Sequence, residues 1–238
     1  MALRFAAEGA DVVVGDVRSA PREGGRPTVE LILEEGGRGV FVTADAARAA
    51  DVDELVTTAV GRTGRLDVMV PNAILAGQHS KGLLETSEED WDAILGVGLR
   101  GVFLACRSAV RQMLGQEPVS DARGRIVTIS SQHGMVGPPG HIAYAAAKGG
   151  VVNLTRQIAV DFGPRGIICN AVAPGKILTT PLDEPDTPET LAYSQARTPF
   201  PRLGRPEDVA SLAVFLASDD CTYMSGANVM VDGGWMAY

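Results

Sequence analysis

Six short, almost wholly apolar runs punctuate the chain: DVVVGD (11–16), GVFVTAD (39–45), LDVMV (66–70), GRIVTISS (124–131), IICNAVAP (167–174) and NVMVDGG (228–234). Near-continuous apolarity, without an alternation of apolar and polar residues, marks strands buried on both faces, the condition of a parallel sheet covered by helices. Longer stretches with helical spacing separate these runs, near 28–36, 51–63, 87–114, 140–163 and 206–218. Two carry start signals, Thr86/Ser87 followed by Glu88, Glu89 and Asp90, and Pro206-Glu207-Asp208. The alternation predicts a doubly wound α/β sheet, whose ligands bind beyond the carboxyl ends of the strands. One domain over 1–238 is expected, because the Pro-rich stretches around Pro118 and from Pro181 to Pro206 are short, mixed with apolar residues, and read as loops.

Charge and cysteine usage narrow the function classes. A formal charge of −8 without any Lys/Arg block argues against nucleic acid and anionic membrane as partners. Cys106, Cys169 and Cys221 are odd in number, widely spaced and set among apolar residues, which argues against disulfides and a zinc cluster. No apolar run approaches a membrane span, and the start, MALRFAAEGAD, lacks a signal peptide's apolar stretch. A soluble, cytoplasmic protein is expected.

AYAAAKGG (143–150) places Tyr144 and Lys148 four residues apart among alanines and glycines. On a helix they share a face, and an adjacent cation favours phenolate, moving the phenol toward values useful in general acid–base work. The same letters also fit an alanine-rich helix with a surface Tyr and Lys. Asp16 ends the first apolar run; it reads as a ribose-binding acid that would select NAD over NADP, or as a turn residue. Asp45 and Asn72 follow the second and third runs and read as turn residues or ligand contacts. Ser131 ends the fourth run as a cap or a substrate-oxygen contact, and Pro174-Gly175-Lys176-Ile177-Leu178-Thr179 leaves the fifth as a turn whose backbone could meet a ligand.

Taken in order, GD after an early strand, TAD, PNA, ISS, YAAAK, NAVAPGKILT, RLGRPEDVA and SGANVMVDGG resemble the short-chain dehydrogenase/reductase family in its single-domain form. The resemblance implies a Rossmann-type sheet and hydride transfer between a nicotinamide ring and a carbinol or carbonyl carbon, without a metal. It implies Tyr144 as general base for alcohol oxidation and general acid for carbonyl reduction. Lys148 would lower the tyrosine's pKa and bind the nicotinamide ribose, and Ser131 would hold the substrate oxygen. Asp16 would hold the adenosine ribose, Asp45 and Ala46 the adenine, and Asn72 and Ala73 the strand end beside it. Ile177 and Thr179 would hold the carboxamide, against a wall shaped by Pro174 and Gly175. Gln132 and His133 would line the substrate pocket, His133 bonding a polar group or capping a loop. The segment from about 178 to 205 occupies the family's variable lid. Homotetramers or dimers are implied, through the helices at 87–114 and 140–163 and the last helix and strand.

Three departures stand out. The first strand and the TGxxxGIG loop are absent, as if the natural N-terminus were missing, so the strands ending at Asp16 and Val70 are expected either to leave unpaired edges or to close on each other. The asparagine expected in VNLRG is Gly98. NNAG is replaced by Pro71-Asn72-Ala73-Ile74, where the proline removes a ladder donor and the isoleucine adds bulk. These departures motivate a second expectation, a non-catalytic member of the same fold acting through assembly.

Overall fold

The computed structural model describes residues 1–75, 81–179 and 186–237. The six apolar runs form strands β1 (Asp11–Asp16), β2 (Arg38–Thr43), β3 (Val68–Met69), β4 (Gly124–Ile129), β5 (Ile167–Pro174) and β6 (Asn228–Val231). All pairings are parallel, in a two-stranded sheet β1-β2 and a four-stranded sheet β3-β4-β5-β6. Of the two outcomes expected for the strands ending at Asp16 and Val70, the edges stay apart: among the described residues no ladder joins β1 to β3. Pro71 accounts for the brevity of β3, because without an N–H it cannot extend the ladder.

Helices α1 (Ala2–Ala7), α2 (Thr28–Glu34), α3 (Ala49–Thr63), α4 (Glu88–Leu95), α5 (Val102–Met113), α6 (Ile142–Phe162), α7 (Pro188–Arg197) and α8 (Pro206–Ala217) supply the outer layers. Period-2 alternation in β4 sorts its side chains between two layers. Ile126 packs with Met113, Val151 and Ile158 on the α5/α6 side, while Val127 and Ile129 pack with Val209, Ala213 and Leu216 of α8. Met1 and Phe5 join the α8 side, so α1 covers the four-stranded sheet as well as following the first sheet's helices. On the α6 side the Thr128 and Thr155 hydroxyls bond at 2.7 Å, satisfying two buried polar groups together.

Both sequence start signals operate. Ser87 caps α4, its Oγ accepting from the Asp90 N–H at 3.1 Å, and the Asp208 carboxylate accepts from the Arg205 N–H at 2.8 Å ahead of α8. The helix expected over 87–114 is interrupted: between α4 and α5, Gly96–Gly101 forms a π-helical turn. Contrary to the sequence reading, the whole element Glu88–Met113 is long and apolar enough to cross a membrane, but over half of its apolar window is buried in the protein itself, as in a core helix. α7 lies inside the segment read as a lid, where no helix was expected. Thr187 caps it, with Pro188 and Glu189 in its first turn. Residues 180–185 of that lid lie outside the described residues. All three cysteines are free and buried, and burial alone pushes the Cys106 thiol up to about 12.

Candidate active site

The carboxyl ends of β4 and β5 and the first turns of α6 converge. Ser131 follows β4 in extended conformation and caps a 3₁₀ turn, Gln132–Gly134, its Oγ accepting from the His133 N–H at 3.1 Å. That cap holds the hydroxyl at the sheet's end, close enough to the Tyr144 phenol to draw its pKa down. Ser131 is 6% exposed and Lys148 3%, so this is an interior site. Lys148 lies one turn beyond Tyr144, its Nζ 5.7 Å from the tyrosine ring centroid, and donates to the Ile129 carbonyl at 2.7 Å. The carbonyl at the end of β4 therefore anchors the ammonium.

Electrostatics here differ from the sequence expectation. Burial raises the Tyr144 phenol above its ordinary value, and the Ser131 hydrogen bond only partly opposes it. The ammonium does not reverse this, because it is turned toward Ile129 and lies beside the ring face. Burial lowers the lysine amine itself to about 8, which brings its proton exchange near neutrality.

Around Tyr144 stands an aromatic wall. His133 stacks on His141 at 6.1 Å and meets Tyr144 and Trp235 edge-on at 6.3 and 6.1 Å. Burial, reinforced by the neighbouring His141, pushes His133 down to about 4, and burial also lowers His141. Both imidazoles are consequently neutral at pH 7. His133 is the hub of a ring cluster. His141, Trp235 and Arg197 escaped the sequence reading, although Arg197 lies 4.4 Å over the Trp235 ring. A signal existed in DGGW, since Gly233 and Gly234 take φ of 63° and 86°, and that reversal returns Trp235 to the pocket.

The expected cofactor residues lie at or beyond the carboxyl ends of β1, β2, β3 and β5. Asp16 is exposed at the end of β1, one oxygen accepting from the Arg18 N–H at 3.1 Å; the turn role and an accessible carboxylate coexist. Asp45 Oδ1 accepts from the Ala47 N–H at 2.9 Å, so it shapes a turn. A Cβ on Gly101 would approach the Ala46 carbonyl to 3.0 Å, fixing the π turn against the loop after β2. Asn72 and Ala73 are exposed beyond β3, and Thr179 is exposed just beyond Ile177, which bridges to Gly204. Pro174 ends β5, and Gly175 passes so close to Asp232 that a Cβ would lie 2.8 Å from its Cα. Beside it the buried Gln132 Oε1 has no partner among the described residues. An accessible acid at β1, a small-residue rim at β2 and β3, and a glycine with an open acceptor at β5 fit the adenosine and nicotinamide ends of a dinucleotide.

Comparison with known proteins agrees with this geometry. Residues 1–236 match the family described as enoyl-(acyl carrier protein) reductase. A 3beta-hydroxysteroid dehydrogenase 1 of Eggerthella lenta is 38% identical over 240 residues, covering 100% of this chain and 88% of the relative. Glucose 1-dehydrogenase 2 of Bacillus subtilis is 34% identical, covering 100% and 90%. The crystal structure of a short-chain type dehydrogenase/reductase from Mycobacterium marinum superposes with a TM-score of 0.86 at 30% identity, covering 100% of this chain and 90% of that one. With the whole chain matched and a hydroxyl, a phenol and an ammonium gathered at the sheet's carboxyl end, the protein belongs to the short-chain dehydrogenase/reductase family of oxidoreductases.

Proposed function

We propose that the protein interconverts a secondary alcohol and a ketone using NAD(H). The observation that carries this reading is the convergence of Ser131, Tyr144 and the buried Lys148 beyond the carboxyl end of β4. A bound nicotinamide supplies the hydride acceptor or donor. Ser131 and Tyr144 hold the substrate oxygen between two hydroxyls, so that oxygen stays oriented as its charge changes. In oxidation Tyr144 takes the carbinol proton; in reduction it returns one, a direction that its raised pKa favours. Lys148, with its amine near 8, passes protons to and from the tyrosine side.

The exposed Asp16 supports NAD over NADP, because a carboxylate accepts from ribose hydroxyls and repels a 2′-phosphate. Asp45, Ala46, Asn72 and Ala73 then face the adenosine half, and Pro174, Gly175, Ile177 and Thr179 the carboxamide. Gln132 and His133 face the substrate, in a cytoplasmic homo-oligomer. Thermal unfolding with millimolar NAD or NADP tests the reading directly, since a ligand of the folded state raises the transition. A rise with NAD alone, followed by turnover on a panel of secondary alcohols that Tyr144→Phe abolishes, is the expected outcome. No rise with either dinucleotide and no turnover would refute it. A second reading, assembly without catalysis, draws on Gly98, which supplies no carboxamide; under it Tyr144→Phe would leave the only measurable property, oligomeric state, unchanged.

A further inference from the structure

The departures at positions 74 and 98 are far apart in sequence and meet in space. A Cβ built on Gly98 would lie 2.3 Å from Ile74 Cδ1 and 3.4 Å from the Cβ of Ala147. Three elements come together at this point: the loop after β3, the π turn and α6. Gly98 is buried, Ala147 is 0% exposed, and the next residue is Lys148. The turn has little room to retreat, because Gly101 abuts the Ala46 carbonyl on one side and on another Leu99 lies 2.8 Å from where a Cβ on Gly150 would stand.

We propose that Ile74 is a positioning residue that has exchanged volume with position 98: its side-chain end occupies the space a residue at 98 would need and gives the Lys148 side of the pocket an apolar, dry floor. The missing side chain at 98 and the extra one at 74 are one coupled change. A carboxamide at 98 requires the Cδ1 end of Ile74 to move off this seat. With alkyl groups from Ile74 and Ala147 on this side, Lys148 keeps the Ile129 carbonyl as its hydrogen-bond acceptor.

The steric half stands whether or not the chain oxidises an alcohol; only the catalytic meaning of a dry lysine rests on the oxidoreductase reading. A four-protein cycle tests it without substrate or cofactor: wild type, Gly98→Asn, Ile74→Ala and the double variant, compared by thermal unfolding. Gly98→Asn should melt roughly 3–10 °C lower than wild type, by overpacking, and should cost nothing when added to Ile74→Ala. Gly98→Ala replaces it should the asparagine variant fail to fold. Equal effects of the substitution in both backgrounds overturn the coupling.

The dry floor has its own spectroscopic readout. The chain has three lysines, Lys81, Lys148 and Lys176. In ¹⁵N-lysine-labelled protein, assigned with Lys81→Arg and Lys176→Arg, the Lys148 ammonium protons should exchange with water more slowly than the other two. Ile74→Ala should speed that exchange roughly tenfold, as an opened water path does. Unchanged exchange in Ile74→Ala overturns the sealing role, and the NAD melting shift, measured separately, reports on the oxidoreductase reading alone.

Discussion

Replacing Lys148 by methionine should remove a folding penalty that grows as pH falls. The side chain is 3% exposed and its amine is held near 8 against an ordinary 10.5, with burial as the cause. Because the folded pKa lies below the unfolded one, the unfolded chain binds the proton more readily between those values, and stability rises with pH across that window. At pH 7 the difference corresponds to about 3 kcal/mol of penalty, and by pH 10 to about 1 kcal/mol. Methionine keeps the buried alkyl stem and carries no charge, so its contribution is flat with pH. It also leaves the Ile129 carbonyl without its 2.7 Å donor, a cost of about 1–3 kcal/mol that does not vary with pH. The two proteins should therefore differ little at pH 7, and wild type should gain about 2 kcal/mol on the variant by pH 10. Urea unfolding of both at pH 7, 8, 9 and 10 measures this, and taking the difference cancels the cysteines and tyrosines that titrate in the same range. Parallel stability profiles for the two proteins would refute the reasoning.

Acid should act through His133. Its folded pKa near 4 lies below the ordinary 6.5, so stability falls as pH drops through that window, by about 2 kcal/mol after allowance for a partly exposed ring, and His133→Phe should flatten that part of the urea-unfolding profile. Ser87→Ala removes the acceptor of the Asp90 N–H and should cost about 1 kcal/mol by denaturant unfolding, with the NAD-induced melting shift unchanged. Ile126→Ala, at a position 1% exposed between β4 and α5/α6, should cost about 2–5 kcal/mol in the same assay; a smaller loss would mean that this core collapses readily around a cavity.

The strands were legible because doubly buried strands must be apolar throughout: β1 and β5 occupy the residues read for them. Ends were less legible. Thr43 and Ile129 close β2 and β4 two residues before the apolar runs stop, where the chain turns into the site. The Ser131, Tyr144 and Lys148 cluster was legible through motif order, and the structure brings all three together. The charge balance within it was not, because a spacing of four says that two side chains share a face but not whether the ammonium faces the phenol or a carbonyl. His141, Trp235 and Arg197 were invisible for another reason: His141 and Trp235 arrive on a loop and a tail whose course no periodicity records, and Arg197 on a helix the sequence reading did not expect. α7 was missed although Thr187-Pro188-Glu189 is the same kind of start signal as Pro206-Glu207. Its acids and prolines were read as loop chemistry.

The division of the sheet distributes rigidity unevenly along the candidate dinucleotide site. A lone two-stranded ribbon is marginal by itself, and β1-β2 is tied to the larger sheet chiefly by α3. Val52 and Val56 of α3 pack against Leu104, Ala105 and Cys106, and Arg62 grips Asp11 with bonds of 2.8 and 3.1 Å. Amides of β1 and β2 should open and exchange without global unfolding, while those of β4 and β5 wait for it. Asp16 and Asp45 ride on the soft ribbon, and Tyr144 and Lys148 on the stiff body. A molecule long enough to touch both would act as a splint, spending part of its binding energy on quieting the ribbon. The adenosine end would then be the half whose grip varies with temperature, while the chemistry at the other end keeps its geometry.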